Sequence, residues 1–484
     1  MATAKSGALT IMQINDVHAY LDAHVELFWE GGKETYRKAG GYARIASLVK
    51  QAREENPGGV LFTDGGDTLH GTYPAVTTQG RALVPVLNVL GLHAMTAHWE
   101  FAYGPDTFRQ RASELEYPVL AANIYEKDTG KTAFPSHIVT EVGGLRVGLI
   151  GIANNTVDKT MPPSFSEGLR FTSGREELPG LVSMLRGEQR VDLVVLLSHL
   201  GFPQDMHLVS EVPGVDVVLS SHTHNRLHRP AVQGSTIVIQ SGSHGAFVGR
   251  LDLQVEGGKV ADYRHRLIEV SQNIEPDAEV AALVRDALEP FTRELGEVVG
   301  NTATPLNRAT SLESTMDNLL LQALLESTGA QIAISNGWRY GAPIVPGPVT
   351  LNDLYNIVPM NPRVSLVELT GEELWAALEE NLEHTYSRDP LGQMGGYLKR
   401  AMGLRALIRI ENPRGHRLQA LFVGEEKVEP GRQYTAAFVT EQGISSRYGQ
   451  NRRHTGERAI DALRKYLAAH DPVRADLRGT FLPV

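Results

Sequence analysis

The 484-residue chain contains no cysteine, which excludes disulfide bonds, thiolate metal ligands and cysteine nucleophiles. A bound metal would therefore have nitrogen and oxygen ligands. Basic residues are also few, since 46 Lys and Arg stand against 56 Asp and Glu, and the net charge is −10. Proteins that bind a nucleic-acid backbone carry basic faces, so this balance argues against a nucleic-acid polymer as the partner.

Long apolar runs are missing as well. No stretch approaches the roughly 20 apolar residues that a membrane-spanning helix requires, so we expect no membrane span. Residues 1–8 lack the apolar core of a signal peptide. A chain from which a leader had been removed would look the same, and the sequence leaves the compartment open.

The remaining composition is typical of a globular protein, with 42% hydrophobic and 21% charged residues. The chain is too long for one ordinary core, so we expect two domains. Apolar segments that alternate with helical patterns such as 41–55 predict a layered α/β domain over 1–272. The predicted strands are 8–15, 59–63, 145–152, 191–198, 214–220 and 235–240.

The pattern breaks at 272–278, where an amphipathic helix begins. Its apolar residues recur at helical spacing from Val280 to Leu295, and Pro290 is expected to kink or break it. We interpret 273–299 as a linker helix and 300–484 as a second, smaller α/β domain that opens with a helix at 313–327.

Aspartate, glutamate and histidine residues occur in short segments, most of them directly after a predicted strand. An aspartate or histidine pair at such spacing is common by chance, and a surface or core histidine is the alternative in each case. Taken together and in this order they indicate a metal cluster, because separate strand ends deliver ligands to one point. The segments are 15–18 (Asn-Asp-Val-His), 64–67 (Asp-Gly-Gly-Asp), 98–100 (His-Trp-Glu), 198–200 (Ser-His-Leu) and 222–224 (His-Thr-His).

Asp67 follows two glycines, which let the backbone turn tightly, and suits a carboxylate shared by two cations about 3.5–4 Å apart. An imidazole-rich ligand set favours Zn²⁺ or Mn²⁺ over Ca²⁺ or Mg²⁺. The sequence therefore predicts two divalent metal ions, Mn or Zn.

Five segments resemble the 5′-nucleotidase branch of the calcineurin-like metallophosphoesterases: 14–18, 64–68, 197–201, 221–224 and 240–252. The second half resembles the C-terminal domain of that branch at 335–339 and 346–355. The resemblance implies a layered two-sheet metallophosphoesterase domain followed by a smaller 5′-nucleotidase-type C-terminal α/β domain. It also implies a location that is usually periplasmic or extracellular.

The same resemblance implies two ligand sets that share Asp67 and a metal-bound hydroxide that attacks a tetrahedral sulfonate or phosphate centre. The first set is Asp16, His18, Asp67 and His224, and the second is Asp67, His98, His199 and His222.

Two departures separate the chain from nucleotidases. Nucleotidases carry Gly-Asn-His-Glu where 97–100 read Ala-His-Trp-Glu, so Trp99 replaces a histidine that stabilises charge on the transferring group. Core packing is the alternative role for Trp99. The second departure concerns the two Phe rings between which nucleotidases stack the base. Where the first ring belongs, 358–361 read Val-Pro-Met-Asn, and 438–444 (Phe-Val-Thr-Glu-Gln-Gly-Ile) are followed by no Phe-x-x-x-Gly-Gly-Asp.

Segments 98–104, 335–342 and 389–400 are similar instead to the Sox-system thiosulfohydrolases. Those enzymes hydrolyse a sulfonate from a persulfidated cysteine at the end of a carrier protein's flexible arm. We therefore predict a thiosulfohydrolase-like enzyme that releases sulfate from a carrier-bound cysteine S-sulfonate. The alternatives are a 5′-nucleotidase or 2′,3′-cyclic phosphodiesterase acting on nucleotides, and a non-catalytic metal-binding module.

The predicted partner is a small-molecule ester or the peptide arm of a carrier protein, and the oligomeric state is left open. Trp99 and Arg339 are the predicted catalytic residues, and Asn336 and Arg339 the predicted substrate-binding residues. A guanidinium suits paired sulfonate or phosphate oxygens, although a structural ion pair explains Arg339 equally well.

Glu100 is expected to support the metal ligands from outside the ligand set. Five further histidines are interpreted as surface or core residues, with His244 the one expected nearest the cluster: His70, His93, His137, His207 and His244.

Overall fold

The computed structural model describes residues 6–484, so most of the segment judged unlike a signal peptide lies outside the described residues. Packing divides the chain into two compact units. The first runs to His24 and resumes over Lys38–Pro290, and the second combines Val25–Arg37 with Phe291–Val484. The predicted domain limits at 272 and 300 stay predictions. Among residues 6–484, none of the helices has the length and apolar character needed to cross a bilayer.

Two sheets form the centre of the first unit. The five-stranded sheet has the order Lys259–Glu269, Phe247–Glu256, Gly7–Ile14, Val60–Asp64 and Ala94–Met95. The six-stranded sheet has the order Ala231–Gln233, Thr236–Ile239, Val217–Leu219, Leu193–Ser198, Leu145–Ile152 and His137–Val142. Strands that meet near the metal-ligand motifs are parallel, and the antiparallel pairs lie toward the edges.

Alternation of side chains along the strands produces the layers. Leu9 and Ile11 join Leu193 and Val195 in one core cluster that contains residues of both sheets. Met12 and Ile14 point the other way into a cluster with the helix Tyr42–Glu55. Since successive strand residues face opposite sides, both faces of central strands such as Leu193–Ser198 and Val217–Leu219 are buried, as their near-continuous apolar runs predicted. The edge strand Lys259–Glu269 is largely exposed. The predicted layered two-sheet α/β domain is confirmed.

The helices of the first unit cover the outer faces of these sheets. Glu177–Gly187 and Phe202–Glu211 pack on the six-stranded sheet, where Val194 and Leu196 meet Leu185 and Leu208. The helix Ala278–Leu295 continues through Pro290, and the division between the two units falls directly after that residue. The other helices of the unit are Tyr73–Thr77, Val84–Asn88, Pro105–Glu114 and Val157–Thr160, and a small sheet pairs Ile124–Glu126 with Leu169–Phe171.

The second unit is also α/β. Its five-stranded sheet has the order Tyr397–Met402, Ile332–Gly337, Gln433–Phe438, Arg363–Thr370 and Gln450–Arg458. Leu404–Ile408, Leu418–Val423, Glu426–Lys427 and Phe481–Pro483 form a second sheet, and Val298–Thr302 pairs with Gly347–Thr350. The helices are Thr315–Thr328, Leu351–Ile357, Gly371–Tyr386 and Ala459–Ala469.

A hairpin from the N-terminal part of the chain packs with this second unit. The strands His24–Glu30 and Lys33–Ala39 pair with each other, and Gly31 and Gly32 form the turn with φ of 57° and 77°. Nδ2 of Asn307 donates a hydrogen bond to the Tyr36 hydroxyl at 2.9 Å. The second unit is therefore discontinuous in sequence.

Candidate metal centre

The predicted ligands lie immediately after the ends of five strands. Asp16 follows Gly7–Ile14, and Asp67 follows Val60–Asp64. His98 follows the short strand Ala94–Met95, so the five-stranded sheet supplies these three positions. His199 and His222 follow Leu193–Ser198 and Val217–Leu219 of the six-stranded sheet. Parallel strands end on the same edge, which is why residues far apart in sequence meet here.

The seven side chains form two groups that share Asp67. The first contains Asp16, His18, Asp67 and His224, and the second Asp67, His98, His199 and His222, with the candidate ligand atoms in each group within 4.8 Å of one another. Oδ2 of Asp67 is 3.1 Å from Nδ1 of His98 and 3.2 Å from Nε2 of His199. The structure thus brings together both predicted sets, while their binding of metal stays a prediction.

Backbone carbonyls fix which ring nitrogen of two histidines faces the centre. Nδ1 of His199 lies 2.5 Å from the Gly65 carbonyl oxygen, and Nδ1 of His18 lies 3.3 Å from the His70 carbonyl oxygen. A carbonyl oxygen only accepts, so each Nδ1 carries the proton and each Nε2 faces the carboxylates. This is how metal-binding histidines are commonly oriented.

The electrostatics of the centre reflect closely packed carboxylates and imidazoles. Burial raises the pKa of Asp67, but the imidazoles of His98, His199 and His18 outweigh it and hold that pKa well below its usual value. Burial lowers the pKa of His199, and the Asp67 and Asp16 carboxylates overcome that effect and raise it to about 10. Burial dominates at His18 and lowers its pKa to about 3. A divalent cation would supply the positive charge that the carboxylates here attract.

Glu100 lies behind the ligands, as expected, and binds main chain. Its carboxylate accepts hydrogen bonds from the backbone N–H groups of His98 at 2.7 Å and Thr68 at 2.6 Å. It also accepts from Leu69 at 3.2 Å and Asp67 at 3.3 Å. One buried carboxylate therefore ties together the loops that carry two predicted ligands.

The backbone of the centre is strained in a consistent way. Asp16, His18 and Asp67 have φ of 52°, 51° and 58°. His222 and His224 have φ of 68° and 57°, also in the left-handed region. This conformation costs an L-residue roughly 1–2 kcal/mol, and such strain concentrates at functional sites. A shared left-handed backbone at five of the seven positions supports a functional rather than a packing role.

Two histidines interpreted as surface or core residues contact the centre. His70 is fully buried, and its ring stacks on Trp99 with 4.8 Å between ring centres and 19° between planes. His244 lies with its ring centre 6.1 Å from those of both His18 and His224, and its backbone N–H donates to the Asp16 carbonyl oxygen at 2.8 Å. The closeness of His70 to Asp67 in sequence was the signal that could have indicated its place.

The predicted substrate residues lie in the second unit. Asn336 is half-buried in the strand Ile332–Gly337. Nη2 of Arg339 donates to the Gly396 carbonyl oxygen at 2.9 Å, and its guanidinium carbon is 5.4 Å from the ring centre of Tyr397. These contacts hold the guanidinium in place, and the substrate-binding role of both residues stays a prediction.

Known families match both halves of the chain. Residues 9–226 match the calcineurin-like phosphoesterase family, and residues 298–440 match the 5′-nucleotidase C-terminal domain. The chain belongs to the 5′-nucleotidase family of the calcineurin-like superfamily. It is therefore a hydrolase of a family that binds divalent metals.

Relatives of this 5′-nucleotidase-family chain carry different activities. The chain is 25% identical over 462 residues to the trifunctional nucleotide phosphoesterase YfkN of Bacillus subtilis. This match covers 85% of the chain and 30% of the length of YfkN. The sulfate thiohydrolase SoxB of Thermus thermophilus has a TM-score of 0.91 at 25% identity, with 99% of this chain and 97% of SoxB covered. A 5′-nucleotidase precursor of Thermus thermophilus has a TM-score of 0.86 at 25% identity, with 99% of both chains covered.

Proposed function

We propose that the chain is a thiosulfohydrolase-like enzyme that uses two divalent cations, Mn or Zn, to release sulfate from a cysteine S-sulfonate on a carrier-protein arm. The observation that carries this proposal is Trp99, which stands beside the predicted ligand His98 where nucleotidases have a histidine. The likeness to SoxB over 99% of the chain supports it.

The chemistry of the leaving group fits this substitution. Hydrolysis breaks the bond between the sulfonate sulfur and the carrier sulfur, and water oxygen joins the sulfonate to give sulfate. The carrier leaves as a thiolate and takes a proton to become a thiol. Because the thiol pKa is about 8.5, a thiolate departs without the strong acid assistance that a sugar alkoxide needs. Trp99 has an indole N–H and no titratable group, which matches that lower requirement.

The described residues each have a part in this reaction. Two divalent cations would supply Lewis-acid activation of the substrate and the attacking water. Asp67 would be shared between the cations, and the Gly65 and His70 carbonyl groups orient the rings of His199 and His18 toward them. Glu100 holds the backbone of Asp67 and His98, so the ligands are preorganised.

The second unit supports the loss of base recognition. Met360, which stands where nucleotidases have an aromatic ring, is 40% exposed and aliphatic. Phe438 is buried, and the guanidinium carbon of Arg452 lies 5.1 Å from its ring centre. A guanidinium over the ring occupies a face on which a base would stack.

Turnover of a cysteine S-sulfonate peptide, with sulfate as the measured product, tests the proposal directly. Purified protein loaded with Mn²⁺ or Zn²⁺ is expected to release sulfate at least about tenfold faster than it releases phosphate from AMP. Trp99→His should narrow this preference, since general acid groups contribute about 10²–10⁴-fold to phosphate-ester cleavage. Trp29→His, at an exposed position, is the matched control. Rapid AMP hydrolysis with no sulfate release would overturn the proposal.

A 5′-nucleotidase is the second candidate, favoured by the TM-score of 0.86 to the Thermus thermophilus 5′-nucleotidase precursor. The same assay separates the two activities.

We also propose an exported location, supported by that relative being a precursor and by the venom source of related 5′-nucleotidases. Detection of the protein in a periplasmic or culture-medium fraction checks this location.

A further inference from the structure

His70 is a buried imidazole that the proposed chemistry leaves without a role. Its ring lies parallel to the Trp99 indole, while Phe165 meets that indole edge-on, with 6.3 Å between ring centres and 71° between planes. The ring of Tyr103 lies 5.8 Å from that of His70. Aromatic contacts of this kind stabilise a defined orientation beyond the area they bury. Trp99 is thus confined by flat rings.

The main chain around His70 is fixed from both sides. The His70 carbonyl oxygen accepts from Nδ1 of His18, and the Leu69 carbonyl oxygen accepts from the Tyr103 hydroxyl at 3.1 Å. Gly71 packs so closely that a Cβ there would lie 2.4 Å from the His18 carbonyl oxygen. The segment 69–71 therefore joins the predicted ligand His18 to the ring that supports Trp99.

We propose that His70 is a positioning residue that sets the plane of the Trp99 indole and so selects a thiolate leaving group over an alkoxide. When its orientation is fixed, the Trp99 indole presents a rigid apolar surface beside His98, at the position where nucleotidases have a histidine. The substrate part of this inference rests on the proposed function, whereas the positioning part rests on the stacked geometry.

The test compares His70→Phe, which keeps a flat ring, with His70→Leu, which keeps only bulk. His207→Leu, on the surface helix Phe202–Glu211, is the matched control. The readouts are kcat and KM on a cysteine S-sulfonate peptide, Mn²⁺ content, and the near-ultraviolet circular dichroism band of Trp99. That band is assigned by subtracting the spectrum of Trp99→Phe.

His70→Leu is expected to lower kcat about tenfold with KM within about twofold, since small losses of alignment have large rate effects. It should also lose the Trp99 band while metal content is unchanged. His70→Phe should keep the band and most of kcat, and His70→Leu should cause no further loss in a Trp99→Leu background. Equal effects of Phe and Leu on both kcat and the band would overturn the positioning role.

An error in the proposed function would give a different experimental result from an error in the positioning role. If the wild-type protein hydrolyses AMP and not the peptide, the proposed function is wrong, and kcat on AMP replaces kcat on the peptide in the comparison. If the Trp99 band is then kept in His70→Phe and lost in His70→Leu, the result supports the positioning role of His70 but not the proposed substrate. A band unchanged in His70→Leu would refute positioning under either substrate.

Discussion

At the level of single residues, Glu100 supports the centre through the main chain, because its carboxylate accepts from four backbone N–H groups. We predict that Glu100→Gln lowers metal affinity about 10–100-fold, since the amide turns an N–H donor toward other donors and loosens the loops of Asp67 and His98. Isothermal titration with Mn²⁺ measures the change. Glu116→Gln, at an exposed position, is the control, and equal affinities in both variants would contradict this role.

At the level of elements, one glycine lies where the terminal loops of the two sheets of the first unit meet. A Cβ on Gly65 would lie 1.9 Å from Oγ of Ser221 and 2.7 Å from Cβ of Asn15. We predict that Gly65→Ala separates the loops that carry Asp67 and His222, with loss of metal binding and a destabilisation of about 1–3 kcal/mol from overpacking. Chemical denaturation and metal analysis check both effects.

The control for that substitution lies in a helix. A Cβ on Gly180, in Glu177–Gly187, meets nothing within 4 Å, so Gly180→Ala should stabilise by about 0.5–1 kcal/mol. A Gly65→Ala protein that keeps its metal would show that the loops can separate without cost to the ligands.

The second unit depends on a buried charge network at the start of one helix. The Asp317 carboxylate accepts from Nε of Arg308 at 2.9 Å and from Nε of Arg400 at 3.1 Å, and all three residues are buried. We predict that Asp317→Ala destabilises this unit by about 3–5 kcal/mol, because two guanidinium groups lose their counter-charge. Thermal unfolding measures it, with exposed Asp476→Ala as control. A decrease in unfolding temperature no larger than that of Asp476→Ala would contradict a stabilising role for the network.

Elements with strong local patterns were predictable from the sequence. The predicted strand 145–152 is Leu145–Ile152, and the helix 41–55 is Tyr42–Glu55. Continuous apolar runs mark strands that are buried on both faces, and the ligand motifs at their ends follow from that assignment. The stacking of His70 on Trp99 was not predictable, because a lone histidine carries no periodic signal and its contacts are set by tertiary packing.

For the molecule as a whole, the discontinuous second unit also escaped prediction. The segment 25–37 alternates like any hairpin, and local sequence does not say which core it joins; the contact of Tyr36 with Asn307 spans 271 positions. Pro290 was expected to kink or break a helix, and the structure excludes only the break, because the helix Ala278–Leu295 runs through this residue. Long-range packing decides which core the hairpin joins.

The charge of the metal-free centre leads to a pH-dependent prediction for the whole protein. Asp67 and Asp16 raise the pKa of His199 to about 10 against an ordinary value of 6.5. The stability that this protonated ring contributes is fully present below pH 6.5 and is lost as pH rises through about 10. A cation needs the neutral ring, so binding near pH 8 should release about one proton from His199.

Stabilisation by metal should therefore grow as pH rises from 6.5 toward 10. Differential scanning calorimetry with EDTA or with Mn²⁺ or Zn²⁺ in excess measures it, and a concentration 1,000 times Kd corresponds to about 4 kcal/mol. Titration in two buffers of different ionisation enthalpy counts the released proton. Asp67→Asn should abolish the metal-dependent shift, whereas Asp286→Asn, on an exposed position of Ala278–Leu295, should retain it. A metal shift that is constant over this pH range would show that His199 is already neutral before the cation binds.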